Sequence, residues 1–105
     1  GIVALASFIA PYEKDREFIK KTVSQENYVE IFVNTSLEEC ERRDTKGLYK
    51  KAREGKIKDF TGISAPYESP KKPFLTLDTE CTPIDELVEI IYNKIKDKLY
   101  TFSNE

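Results

Sequence analysis

The chain begins with Gly1-Ile2-Val3-Ala4-Leu5-Ala6-Ser7, a run almost without a polar side chain. No other stretch restricts the fold as much. A strand with one solvated face alternates apolar and polar residues, whereas a continuous apolar run needs cover on both faces, as inside a parallel sheet flanked by helices. Phe8-Ile9-Ala10-Pro11-Tyr12 follows, where Pro11 ends the extended segment, and from Asp15 to about Gln25 the apolar Phe18, Ile19 and Val23 recur at helical spacing among charges. The same order then repeats. Tyr28-Val29-Glu30-Ile31-Phe32-Val33 reads as a second strand ending at Asn34-Thr35, and Ser36-Leu37-Glu38-Glu39 has the spacing of a capping box opening a helix through about Arg43.

After Gly47 a short basic helix is predicted over Leu48 to Arg53. Gly55 to Pro73, with Gly62, Pro66 and Pro70, reads as a loop, and Phe74 to Leu77 as a third short strand. Thr82 and Pro83 supply an N-cap and a first helical position, after which Ile84, Leu87, Val88, Ile91, Ile95 and Leu99 form one apolar stripe expected to lie in the core. The predicted class is therefore α/β, a parallel sheet flanked by helices. Two or three strands for four helices make a sheet too narrow to protect its edges, and the first strand starts at residue 1, so the fold is expected to be incomplete at its N-terminus.

Composition excludes several function classes. With 105 residues the chain is at most one domain with a thin core. Its 17 Lys and Arg against 19 Asp and Glu give a net charge of -2, which argues against coating nucleic acid or a membrane surface. Any anion must be bound locally. Cys40 and Cys81 are isolated and there is no histidine, so no zinc motif, disulfide scaffold or Ser-His-Asp set is present, and Cys40 is expected to be a small buried apolar group on its helix. No apolar run reaches the roughly 18 to 20 residues of a membrane span, and the start lacks the features of a signal peptide, so a cytoplasmic protein is expected.

Against that background one stretch stands out. Lys50, Lys51, Arg53, Lys56 and Lys58 put five cations into nine residues, immediately before the uncharged Phe60-Thr61-Gly62-Ile63. The ordinary meaning of a charge run is a solvated helix face. Here it stands in a longer order: Cys40-Glu41-Arg42-Arg43-Asp44, then Lys46-Gly47-Leu48-Tyr49-Lys50-Lys51-Ala52-Arg53, then Gly55, then Phe60-Thr61-Gly62-Ile63, with Ser7 to Tyr12 and Tyr28 to Val33 upstream. This order closely resembles the C-terminal half of adenylylsulfate kinase, the P-loop enzyme that phosphorylates the 3′-hydroxyl of adenosine 5′-phosphosulfate with ATP and Mg²⁺.

The resemblance covers nearly the whole chain and implies a role for the basic stretch: a lid, about residues 47–63, over two crowded anionic nucleotides. Cations offset their charge and an aromatic ring offers a base a stacking face. It implies that Lys46, Leu48 and Phe60, with Ile9 and Ala10 in the turn after the first strand, contact the sulfated nucleotide. Arg43 and Thr79, beside Asp78, would flank the adenine of ATP, and Arg53 and Lys58 would be lid cations. Two departures accompany it. Ala10 stands where the family commonly has a serine sometimes reported as phosphorylated, and no G-x-x-x-x-G-K-[ST] phosphate loop occurs in these residues. The family's phosphate loop belongs to its N-terminal half, so these residues are expected to be one portion of a single kinase domain, to hold no metal or catalytic group of their own, and to be inactive alone.

Two alternatives stand beside the kinase. A kinase-like regulatory domain that binds the product nucleotide, as in relatives fused to ATP sulfurylase, would share the lid and lack an intact phosphate loop. A generic RNA-binding patch fits poorly, because the net charge is negative and the aromatics are not interleaved along a strand. The resemblance also leaves a homodimer open.

Overall fold

Two short parallel strands form the sheet: β1 (Ile31–Asn34) lies beside β2 (Leu75–Asp78), with Ile31 opposite Leu75 and Asn34 opposite Asp78, in a computed structural model that describes residues 2–100. The helices are α1 (Glu13–Val23), α2 (Leu37–Arg43), α3 (Leu48–Arg53) and α4 (Ile84–Tyr100), with one 3₁₀ turn at Gln25–Asn27. The α/β class is that predicted, and the basic helix falls on its predicted residues. The long loop before β2 is also observed. Among the described residues no helix is long and apolar enough to cross a membrane.

Local chemistry accounts for the helix starts. Ser36 caps α2, its hydroxyl accepting from the Glu39 N–H at 3.2 Å. Only half of the predicted capping box forms, because the Glu39 carboxylate turns to Arg42 and Arg43 while the Ser36 N–H donates to Glu80 at 2.7 Å. In α4 the Leu87 N–H bonds the Pro83 carbonyl at 3.0 Å, so Pro83 precedes the first helical residue instead of occupying it.

Two expectations about the core are corrected. Residues 2–7 belong to no strand and are exposed, Ile2 at 97% and Leu5 at 92%; Gly1 lies outside the described residues. An extended run becomes a strand only when a neighbour completes its ladder, and neither β1 nor β2 pairs with it. The stripe of α4 is also only partly covered. Leu87 is buried and Ile91, Ile95 and Leu99 are half-buried, but Ile84 and Val88 face outward. The sheet is two strands wide, and a helix longer than the sheet it crosses leaves its ends uncovered.

The buried apolar residues among those described are Ala52, Leu77 and Leu87. A radius of gyration of 16.2 Å reflects this, against about 13 Å for a compact domain of this length. In α1 the pattern is inverted: Phe18, Ile19 and Val23 are exposed, and the buried side chain is Arg16.

Candidate functional site

Parallel α/β sheets bind ligands beyond the carboxyl ends of their strands, where loops and helix starts meet. At that end β1 runs into Thr35 and β2 into Thr79. The Thr79 N–H donates to the Asn34 carbonyl at 3.3 Å, and the Thr35 and Thr79 hydroxyls are hydrogen-bonded to each other. Beside them an open groove of about 320 Å³ is lined by Thr35, Cys40, Arg43, Asp44, Thr45, Lys46, Leu48, Tyr49 and Phe60. A larger hollow of about 490 Å³, lined by residues including Glu13, Lys20, Tyr28, Lys71 and Lys98, holds none of the predicted site residues.

The groove is built around one turn. Asp44-Thr45-Lys46-Gly47 has aspartate at its first position and glycine at its fourth, and the Gly47 N–H donates to the Asp44 carbonyl at 2.9 Å. Gly47 has φ +68°, a left-handed conformation that glycine adopts without steric cost, and it turns the chain into α3. Having no side chain, Gly47 cannot cap that helix; the Asp44 carboxylate does so from upstream, accepting from the Tyr49 and Lys50 N–H groups at 3.0 and 3.1 Å. Lys46 is left exposed on the turn, and no ion-pair partner reaches it among the described residues.

Arg43, at the end of α2, joins the two sides of the site. Its guanidinium donates to Glu39 at 2.7 Å and to the Thr79 carbonyl at 2.9 Å. The Glu39 carboxyl is lowered to about 2, first by its hydrogen bond with Arg42 and then by that with Arg43. The Phe60 and Tyr49 rings meet edge to face, with centroids 4.9 Å apart at 76°. Burial raises the Tyr49 phenol, with the Cys40 thiol beside it adding to the effect. Cys40 is half-buried and lines the groove, so it is less enclosed than predicted.

Of the predicted site residues, the groove unites Arg43, Lys46, Leu48 and Phe60, and the Arg43 bond ties Thr79 to them. Ile9 and Ala10 do not line it. Ile9 is exposed, and Ala10 is half-buried with φ +40° and its carbonyl hydrogen-bonded to Arg16. The two predicted lid cations are not equivalent: Arg53 pairs with Glu41 at 2.5 Å, whereas Lys58 has no ion pair among the described residues; of the other cations in the basic stretch Lys56 pairs with Glu54 at 2.8 Å, and Lys50 and Lys51 have no ion pair among the described residues. Two of the five cations of the basic stretch are thus already partnered by carboxylates. Among the described residues no three acidic or cysteine side chains converge as a metal site would require.

Sequence reasoning missed Asp44, Tyr49 and Arg16. Asp44 had a legible signal, an aspartate three residues before a glycine. Tyr49 and Arg16 had none, because each is defined by residues distant in the chain.

The family model for adenylylsulphate kinase matches residues 1–78. The chain is 50% identical over 100 residues to the adenylyl-sulfate kinase of Oceanobacillus iheyensis, covering 95% of this chain and 50% of that one. It is 46% identical over 100 residues to the enzyme of Staphylococcus epidermidis, with the same coverage. The chain thus spans about half the length of these curated relatives. Among solved structures, the Mycobacterium tuberculosis APS kinase in complex with AMPPNP and APS superposes with a TM-score of 0.80 at 40% identity, over 85% of this chain and 52% of that one.

Proposed function

Because this chain belongs to the adenylylsulphate kinase family, we propose that residues 1–105 form the C-terminal, substrate-lid portion of a single kinase domain that transfers the ATP γ-phosphate to the 3′-hydroxyl of adenosine 5′-phosphosulfate. The observation that carries this reading is the convergence of Arg43, Lys46, Leu48 and Phe60 on one groove at the carboxyl end of the parallel strands. A cation and an aromatic ring at one groove suit a ligand with an anionic group and a base.

Each residue then has a physical task. Lys46, without an ion-pair partner among the described residues, offers its ammonium to the sulfate or phosphate of the substrate. The Tyr49–Phe60 pair gives the adenine an apolar wall, since an edge-to-face contact leaves ring surface open for stacking. Arg43, oriented by Glu39 and the Thr79 carbonyl, presents its planar guanidinium to the adenine of ATP. Ile9 and Ala10 meet the substrate through their backbone, which Ala10 can do without the family's serine. Arg53 and Lys58 belong to the lid, which nucleotide would order.

Phosphoryl transfer depends on positioning and charge neutralisation. These residues contain no phosphate loop and the described ones no carboxylate cluster for Mg²⁺, so their share of the work is binding and closure. Mg²⁺ would come with the ATP phosphates.

Calorimetric titration of each nucleotide into the full-length protein tests the reading. Phe60→Ala should weaken adenosine 5′-phosphosulfate binding by about ten-fold to a hundred-fold at any salt concentration, since stacking contributes about 1 to 3 kcal/mol. Lys46→Ala should weaken it by an amount that shrinks as ionic strength rises. ATP affinity should change much less in both variants, and a dominant loss of ATP binding would overturn the assignment. Tight binding of the product without turnover would instead favour a regulatory domain.

A further inference from the structure

We propose that Arg16 is a positioning residue for the sulfated-nucleotide subsite, holding the Ala10 turn in its left-handed conformation and fastening it to Glu68, just beyond the lid. The inference rests on the reading above that Ile9 and Ala10 meet that nucleotide.

Arg16 is 6% exposed and is the buried charged residue among those described. Burying a guanidinium is costly unless its donors are satisfied, so its partners define what the burial achieves. One terminal nitrogen donates to the Ala10 carbonyl at 2.5 Å, and the other donates to the Glu68 carbonyl at 2.5 Å and to the Glu13 carboxylate at 2.8 Å. Nε has no hydrogen bond and lies 3.9 Å from the Glu30 carboxylate, while the guanidinium carbon sits 5.9 Å from the centre of the Tyr67 ring. The fork therefore grips two main-chain carbonyls, at residues 10 and 68, that are remote from each other in sequence.

What it grips is strained. Ala10 has φ +40°, a region that residues with a Cβ rarely occupy unless their surroundings hold them there. Glu68 completes the clamp: its N–H donates to the Pro11 carbonyl at 2.8 Å, and its carboxylate accepts from the Glu13 N–H at 3.0 Å. The turn is thus fixed to a residue five positions past Ile63, where the lid ends. Closure of the lid over one nucleotide would be transmitted to the backbone that meets it. A lysine carries the charge but cannot present two coplanar donors to two carbonyls at once.

The test uses Arg16→Lys in the full-length protein. The KM for adenosine 5′-phosphosulfate should rise about ten-fold, with the KM for ATP and kcat within about two-fold, as expected when one charge-assisted hydrogen bond is lost. Adding Ala10→Gly, which reaches positive φ without a Cβ penalty, should recover about three-fold or more of that loss, and more than it changes in the native background. A shared rise in both KM values, or no recovery from the glycine, would overturn the proposal. Amide exchange without nucleotide separates its failure from failure of the functional reading. In Arg16→Lys the Glu13 and Glu68 N–H groups should exchange about ten-fold faster while Leu87 in α4 is unchanged, and native rates at both would refute the clamp whatever the protein binds.

Discussion

Asp44 is the joint between α2 and α3, and replacing it with alanine should loosen α3 without unfolding the sheet. In α3 the first N–H groups have no intrahelical acceptor, and Gly47 at the cap position offers no side chain. The Asp44 carboxylate fills both needs, meeting Tyr49 at 3.0 Å in a partly buried bond and Lys50 at 3.1 Å in an exposed one. Removing a side-chain cap typically costs about 1 kcal/mol and up to about 2. Two amides lose their acceptor here, but the Lys50 amide can turn to water, so about 2 kcal/mol is expected for Asp44→Ala, and about half of that for Asp44→Asn, which keeps one oxygen. A loss of about 2 kcal/mol corresponds to about 30-fold faster opening. Hydrogen exchange of the Tyr49 and Lys50 amides in the full-length protein reads this directly, with Leu87 in α4 as the internal control. Exchange at both amides within about three-fold of the native rate in Asp44→Ala would show that α3 is held by packing of Ala52 and not by its cap. Lys46 and Leu48 hang on the same joint, so on the proposed reading affinity for the sulfated nucleotide should fall with it.

Two further predictions concern charge. The Tyr28 phenol is raised to about 12, first by burial and then by the Glu30 carboxylate that accepts its hydroxyl at 2.9 Å. Its folded value lies above its ordinary 10.0, so the stabilisation is complete below pH 10 and is lost as pH rises toward 12; Glu30→Gln should lower the ultraviolet titration midpoint part of the way, and an unchanged midpoint would leave burial as the sole cause. Glu39 is the opposite case: its folded value of about 2 lies below its ordinary 4.5, so the Glu39–Arg42–Arg43 cluster contributes above pH 4.5 and loses that contribution as pH falls toward 2. A carbon NMR titration of its carboxyl with a midpoint near 4.5 would contradict the ion pairing, and Arg42→Ala should raise the midpoint more than Arg43→Ala does.

What the residues determined by themselves is what neighbours within a turn or two can decide. Ser36 caps α2 because its hydroxyl reaches an amide three residues on. Gly47 turns the chain because it lacks a Cβ, and α4 forms where apolar residues repeat every three to four positions, although the repeat alone did not decide which of them are covered. The order from Lys46 to Phe60 was legible only as a resemblance to the kinase family, which singled out Arg43, Lys46, Leu48 and Phe60; that the four line one groove is a fact of the fold. Tertiary structure decided the rest, since burial and strand formation depend on atoms supplied from far along the chain. Residues 2–7 had the composition of a strand, but among the described residues no strand pairs with them. Arg53, expected as a lid cation, is paired because folding placed Glu41 beside it, and Arg43 reaches the residue that follows the second strand because β1 and β2 pair in parallel and bring the Thr79 carbonyl within 2.9 Å. Arg16 is one of several charges in the α1 pattern, and nothing in the sequence singles it out. Glu68, 52 residues away, supplied the carbonyl that makes its burial tolerable and turns a surface residue type into an interior clamp.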